Sequence, residues 1–307
     1  MKSLRNSKMI ILVMVLLLSI SVFVGCSGEN DSNGNDGQEQ SSDNGEGGKT
    51  GGESDGLEGT ISIAGSTSVT PLAEKLAAAF MEANPNVKID VQGIGSSAGV
   101  KASNEGAADI GMASRNLKEA EKEWGLTEHI IAYDGIAVVV HPSNDVEGLD
   151  KEMITKIFKG EIKNWKEVGG KDDEILVVSR EAGSGTRGAF EGIMDLEEKN
   201  DDGKKISAVR QDALIAEGNG AVRQNIAGKE NAIGYISLSY MNESVKGVKV
   251  EGVEPTVEKI LAGEYKVSRP FLMLTKGDMN QLVKAYMDFV MSDEGQEIVS
   301  EKGIPVK

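Results

Sequence analysis

Hydrophobic and polar positions divide the chain into three stretches. Lys2, Arg5 and Lys8 precede a predominantly apolar run from Met9 to Val24, a positive n-region and an h-region slightly short for a spanning helix. Residues 27–56 then hold nine Gly, eight acids, one Lys and no apolar side chain. Such a segment buries too little surface to offset its ordering entropy and is expected to be disordered. As a Gly-rich coil it would span roughly 30 Å root-mean-square. From residue 57 onward, short β-rich runs alternate with helical patterns. Runs at 60–64, 87–92, 107–114, 136–142, 174–179 and 269–275 predict strands. A helix is predicted from Thr70, read as the N-cap with Pro71 at N1, and Leu72, Leu76 and Phe80 lie on one of its faces. Further helical patterns follow the loop 93–99 and run over 117–124, 150–158, 278–291 and 293–302. Strand, polar loop, helix, repeated, predicts an α/β fold with a mostly parallel sheet, where ligands sit at the carboxyl ends of strands.

Cys26 is the single cysteine, so no intrachain disulfide can form. It follows Gly25 at the end of the apolar run and resembles the lipobox cysteine of bacterial lipoproteins, although Phe23 stands where Leu is usual. That resemblance implies cleavage of residues 1–25, diacylation of Cys26 and a tether over 26–56. The other reading is an uncleaved N-terminal anchor. Either way the expected location is the extracytoplasmic face of the cell membrane.

The formal net charge is −16; without the three N-terminal cations it becomes −19, of which −7 lies in the tether, leaving about −12 on residues 57–307. No basic stripe appears, so nucleic acid is not an expected partner. An anion would need a local positive site, which screening of the acidic surface permits.

Four loops offer one. Ala64–Ser68 follows the first predicted strand, Gly93–Gly99 the second, Met112–Arg115 the third, and Arg180–Arg187, reading REAGSGTR, a later one. Each joins small or hydroxyl residues to a helix start. Free N–H groups and partial positive charge gather there, and Gly lets an anion approach the backbone. Ser and Thr add neutral donors; Arg115 and Arg180 add planar forks suited to oxyanions. A single such loop reads more simply as an N-cap and a turn. Four at successive strand ends amount to enough donors to replace the hydration shell of one tetrahedral dianion.

The catalytic alternatives fit less well. No Lys lies in 180–190, which excludes a phosphate-binding GxxxxGK[ST] loop. The stretch 182–186 is not GxSxG, and His129 and His141 are the only imidazoles. One Cys and two separated His form no zinc set. No metal and no cofactor are expected; the pattern reads as a grip rather than a catalyst.

The stretches GSTSVTPLAEKL, GIGSSAGVK, IFKGEIKNW (157–165), REAGSGTR and AIGYISL (232–238) resemble the substrate-binding lipoproteins of bacterial phosphate ABC transporters, the PstS family, in order and over essentially all of 58–307. The resemblance implies a two-lobed, type II periplasmic-binding-protein-like α/β fold closing on dehydrated inorganic phosphate in a cleft between the lobes. Lobe one would be 57–135 plus 239–307 and lobe two 136–238. It implies phosphate contacts from Thr67, Ser68, Ser96, Arg180, Ser184, Gly185 and Thr186, to which the loop chemistry adds Ser114 and Arg115. The implied partners are ABC permease subunits and, through the lipid, the membrane, with the receptor a monomer. Many members place an Asp after the Ser of the third loop to accept the phosphate proton, which rejects sulfate. Here Ser114 is followed by Arg115, so sulfate, molybdate or arsenate stay open as ligands. Asp134 is a candidate replacement acceptor; an ion pair with Arg115 or a turn position is its other reading. An extracellular phosphatase using Ser184 or Thr186 is the remaining alternative.

Overall fold

The computed structural model describes residues 56–307; the signal-like segment, Cys26 and all but the last residue of the tether lie outside the described residues. Strands β1 (Gly59–Gly65), β2 (Val87–Gly93) and β3 (Ile110–Ala113) run parallel, linked by helices α1 (Thr70–Ala83) and α2 (Ser96–Glu105). Leu72, Leu76 and Phe80 lie buried on one face of α1, as the spacing predicts. Thr70 is the first helical residue and not the cap; its hydroxyl donates to the Ser66 carbonyl (3.0 Å) while Val69 takes the cap position. Helix α3 (Glu119–Lys122) is one turn, shorter than the helical pattern over 117–124 predicts.

Strand β4 (Leu126–Val140) is 15 residues long, reaching well upstream of the apolar run 136–142. Its first half exposes Thr127, Glu128, Ile130 and Tyr133 and so lacks the continuous hydrophobicity of a fully buried strand. Next come β5 (Gly148–Leu149), α4 (Lys151–Lys159), β6 (Leu176–Arg180), α5 (Gly185–Ile193), β7 (Glu197–Lys199), β8 (Lys205–Ser207), β9 (Leu214–Ala216) and α6 (Gly218–Ala227). The chain ends with β10 (Ala232–Ser237), β11 (Lys246–Gly247), β12 (Lys249–Val250), α7 (Val257–Leu261), β13 (Ser268–Lys276), α8 (Gln281–Val290) and α9 (Asp293–Ser300).

The main sheet has the order β2-β1-β3-β13-β4-β10-β6-β9, with β11 also on β4. It is parallel toward both ends and antiparallel in the middle, where β13 pairs with β3 and β4, and β4 with β10. The long strand β4 spans both halves: residues up to Gly135 pair with β13, and Ile136 onward with β10. Two large cores follow from this, with two smaller clusters beside them. One gathers Ile61, Leu72, Phe80, Phe271, Tyr286 and Val299. The other gathers Phe158, Trp165, Phe190, Tyr235, Tyr265 and Val267. Among the described residues no helix is long and apolar enough to cross a membrane.

Candidate anion-binding site

The carboxyl ends of β1, β3 and β6 and the start of α2 converge. At the end of β1, Gly65 has φ +149, and a Cβ there would stand 2.2 Å from the Met112 carbonyl oxygen, so only glycine fits this close approach of two strands. The Gly65 carbonyl accepts from Ile94 N and Gly95 N (both 2.8 Å), joining the first loop to the second. Gly95 (φ +91) and Gly183 (φ +90) make the turns that aim α2 and α5 inward, and Ser97 N donates to the Gly183 carbonyl (3.1 Å). Ser184 caps α5, accepting from Arg187 N (3.2 Å).

The hydroxyls interlock. Ser66 Oγ donates to Ser114 Oγ (2.8 Å), Ser114 N donates to Ser96 Oγ (3.1 Å), and Ser68 Oγ lies 2.7 Å from Thr186 Oγ1. Ser68, Ser96, Ser114, Ser184, Gly185 and Thr186 are buried and Thr67 is half-buried. Arg180 is 1 % exposed, with Nη2 donating to Thr67 Oγ1 (3.1 Å) and Nη1 to Asn219 Oδ1 (3.2 Å). Its other edge rests on Glu181, Nε and Nη2 each 2.8 Å from a carboxylate oxygen. Burial raises the Glu181 carboxyl, but the hydrogen bonds from Arg180 more than offset it, leaving the group below its ordinary range. The Tyr235 hydroxyl accepts from Arg180 N (3.2 Å), and burial pushes its pKa up to about 12, which keeps it neutral. The structure therefore brings together Thr67, Ser68, Ser96, Ser114, Arg180, Ser184, Gly185 and Thr186.

It does not bring in Arg115. Both Nη atoms of Arg115 lie on the Glu121 carboxylate (2.7 and 2.8 Å), and Nη2 also donates to Ser97 Oγ (3.2 Å). Burial raises the Glu121 carboxyl, yet the bonds from Arg115 and from Lys118 N bring it below its usual value. The depressed pKa means the pair stabilises the fold above the ordinary Glu range, near pH 4.5, and loses that contribution as pH falls through the folded value. Arg115→Gln is expected to cost about 3 kcal/mol of stability by stranding Glu121. Anion affinity should stay within roughly threefold, since the fork it removes is fully engaged elsewhere. Thermal melts and calorimetry on the same sample check both halves.

Asp134 does not pair with Arg115 either. Its partner is Arg269, Nη2 to Oδ2 at 2.9 Å, a residue that the sequence marks only as the start of the strand 269–275. Asn219 and Ser237 were also missed: Asn219 Nδ2 donates to Ser68 Oγ (2.9 Å), and Ser237 Oγ donates to Asp134 Oδ1 (2.9 Å). The available signal was a lone Arg at the mouth of the apolar run RPFLMLT. Both imidazoles are engaged outside this cluster, His129 with Thr275 (3.1 Å) and His141 with Ser143 (2.7 Å).

Comparison with known proteins agrees across family, sequence and structure. A family model for the PBP superfamily domain matches residues 44–294. The phosphate-binding protein PstS of Bacillus subtilis is 32% identical over 310 residues, covering 98% of this chain and 95% of its own. PstS of Borreliella burgdorferi is also 32% identical, over 79% of this chain and 88% of its own. A putative phosphate ABC transporter substrate-binding protein from Clostridium perfringens, solved with bound phosphate, superposes with a TM-score of 0.76 at 48% identity, covering 81% of this chain and 100% of that one. An ABC-type phosphate transport receptor from Vibrio cholerae gives 0.69 at 37% identity, over 80% and 100%.

Proposed function

The chain belongs to the PBP superfamily and, within it, to the PstS family of phosphate ABC-transporter substrate-binding proteins, and from that premise we propose that it is a lipid-anchored extracytoplasmic receptor that binds inorganic phosphate and delivers it to an ABC import permease. One observation carries the reading: hydroxyls from four loops gather in a buried cluster whose Thr67 accepts from the Arg180 fork, with Ser68 on one core's loop touching Thr186 on the other's (2.7 Å). Thr67, Ser68, Ser96, Ser114, Ser184, Gly185 and Thr186 supply neutral donors, and Arg180 supplies charge. Cys26 is the attachment point and the 26–56 stretch the spacer.

Ligand binding works by lobe closure, contacts from both lobes favouring the closed form. Lobe one takes 57–135 and lobe two begins at Ile136. The packing of Val248, Val250, Tyr265 and Val267 in the second core favours a return to lobe one at Ser268 instead of residue 239. Both imidazoles are engaged elsewhere, Glu181 lies on the Arg180 fork, and among the described residues neither Ser184 nor Thr186 hydrogen-bonds a His or carboxylate, which supports binding over phosphatase chemistry.

A second reading, a receptor for another tetrahedral oxyanion, has one observation in its favour. Arg115 stands after Ser114, and the neighbouring acids Glu121 and Glu181 are each held on an arginine fork. Calorimetry on protein unfolded and refolded to strip carried-over anion separates the two. Sub-micromolar one-to-one phosphate binding, roughly 8 kcal/mol or more, that excess sulfate does not displace is the expected result. Equal displacement by sulfate would favour the broader oxyanion receptor, and no phosphate binding would overturn both the ligand and the transport role.

A further inference from the structure

The point where the chain passes from one core to the other holds a buried ion pair that joins the sequence-derived candidate Asp134 to Arg269. Arg269 on β13 faces Asp134 on β4, one register step from Ser268↔Gly135, and Ile136 then pairs with Ser237 of β10. Arg269 is 3 % exposed and Asp134 2 %. Nε and Nη2 of Arg269 donate to Asp134 Oδ2 (3.2 and 2.9 Å). The rest of the guanidinium turns toward the loops. Nη1 donates to the Ser114 carbonyl (3.1 Å) and Ser114 Oγ (3.3 Å), and Nη2 to Ser68 Oγ (3.2 Å).

We propose that Arg269 is the second anion-binding cation of this site, the role expected of Arg115, and that Asp134 is its positioning residue. The ligand's identity rests on the phosphate reading above. Three observations support the assignment. A buried guanidinium needs more than one half-engaged carboxylate to repay its desolvation, and Arg269 spends its remaining donors on neutral oxygens of Ser68 and Ser114, two of the site's own residues. Burial, with a smaller push from the Arg180 charge, depresses the Arg269 pKa despite Asp134; two buried cations, one bonded to Thr67 and the other to Ser68 and Ser114, call for an anion between them. Asp134 meets only donors, Arg269 and Ser237. Oδ2 holds the fork and Oδ1 accepts from Ser237, so both oxygens already have partners within the protein. Arg115 differs in that Glu121 takes both ends of its fork.

The test compares wild type, Arg269→Gln, Arg269→Lys, Asp134→Asn and the Asp134→Asn/Arg269→Gln double variant, titrated with phosphate and with sulfate as competitor. Arg269→Gln should weaken phosphate binding roughly fiftyfold, the loss of a buried charge-assisted contact. Arg269→Lys, which keeps charge without the fork, should lose about fivefold. Asp134→Asn should also lose about fivefold, leave the phosphate-to-sulfate ratio unchanged, and add nothing to Arg269→Gln, because it acts through that side chain. Wild-type affinity in Arg269→Gln, or an equal Asp134→Asn loss in both backgrounds, would overturn the assignment. Sulfate gaining on phosphate in Asp134→Asn would instead make Asp134 the proton acceptor. Should Arg269→Gln fail to melt cooperatively, Arg269→Lys decides: unchanged affinity there overturns the fork. If wild type itself binds no phosphate, the receptor reading fails before this one is reached.

Discussion

Arg180→Gln should weaken phosphate binding by on the order of a thousandfold while the protein still unfolds in one cooperative transition. Arg180 ends β6 at 1 % exposure, and its backbone N is held by the Tyr235 hydroxyl. Glu181 keeps one edge of the fork flat, so the other edge faces Thr67 and Asn219 without having to be ordered first. Gln removes the charge and the fork together. The stability loss should be smaller than the affinity loss, because the stranded Glu181 side chain is 25% exposed and water can solvate it. Calorimetry against the wild type, with a thermal melt of each, reads the two effects apart. A dissociation constant within tenfold of wild type would mean the anion does not sit against this fork.

Gly185→Ala should act in opposite directions on two observables. Gly185 is the first residue of α5, and a Cβ there would stand 2.2 Å from Ser96 Oγ, 2.6 Å from Ser114 Oγ and 2.9 Å from Ser96 Cβ. The hydroxyls can rotate away, at the cost of their place in the donor set; the Ser96 carbon cannot. The fourth loop must therefore back off from the second and third, an overpacking cost of about 3 kcal/mol, or more than about a hundredfold in affinity. Ala is the better helix former by up to about 1 kcal/mol. The unliganded protein, freed to hold its loops apart, should melt no lower than wild type. A variant that melts several degrees lower yet binds normally would show that Gly185 serves the fold and not the grip.

Much of this arrangement is legible in the sequence because its signals are local. Hydroxyl and glycine stretches sit directly after β-rich runs, so the four loops and most of their donors can be placed without knowing the sheet order. What escapes is long-range. Arg269 reaches Asp134 across 135 positions, and nothing near RPFLMLT says which strand it will pair with. The first half of β4 escapes because its side chains alternate between water and core, which dilutes the hydrophobic run. Arg115 is different: Glu121 lies six residues on, inside the helical pattern 117–124, so a fork-to-carboxylate pairing over a short loop and one turn is a local signal. The mixed sheet direction has the same origin as the missed arginine, since β13 arrives last and inserts antiparallel between β3 and β4.

That late insertion governs the order in which the molecule can be made. The second core is drawn from one continuous stretch, Ile136 to Val267, and can begin to collapse once that stretch is available. The first core cannot close: from Ala113 until Ser268 emerges, β3 waits with one edge unpaired, and Phe80 lacks the α8 aromatic Tyr286 that it later meets edge-on (ring centroids 5.3 Å apart). In refolding of the whole chain the contiguous second core should likewise form first, giving a fast phase reported by Trp165, and the long-range docking of β13 and α8 should set a slower one. During that interval the bare β3 edge is the part of the chain most exposed to pairing with another copy.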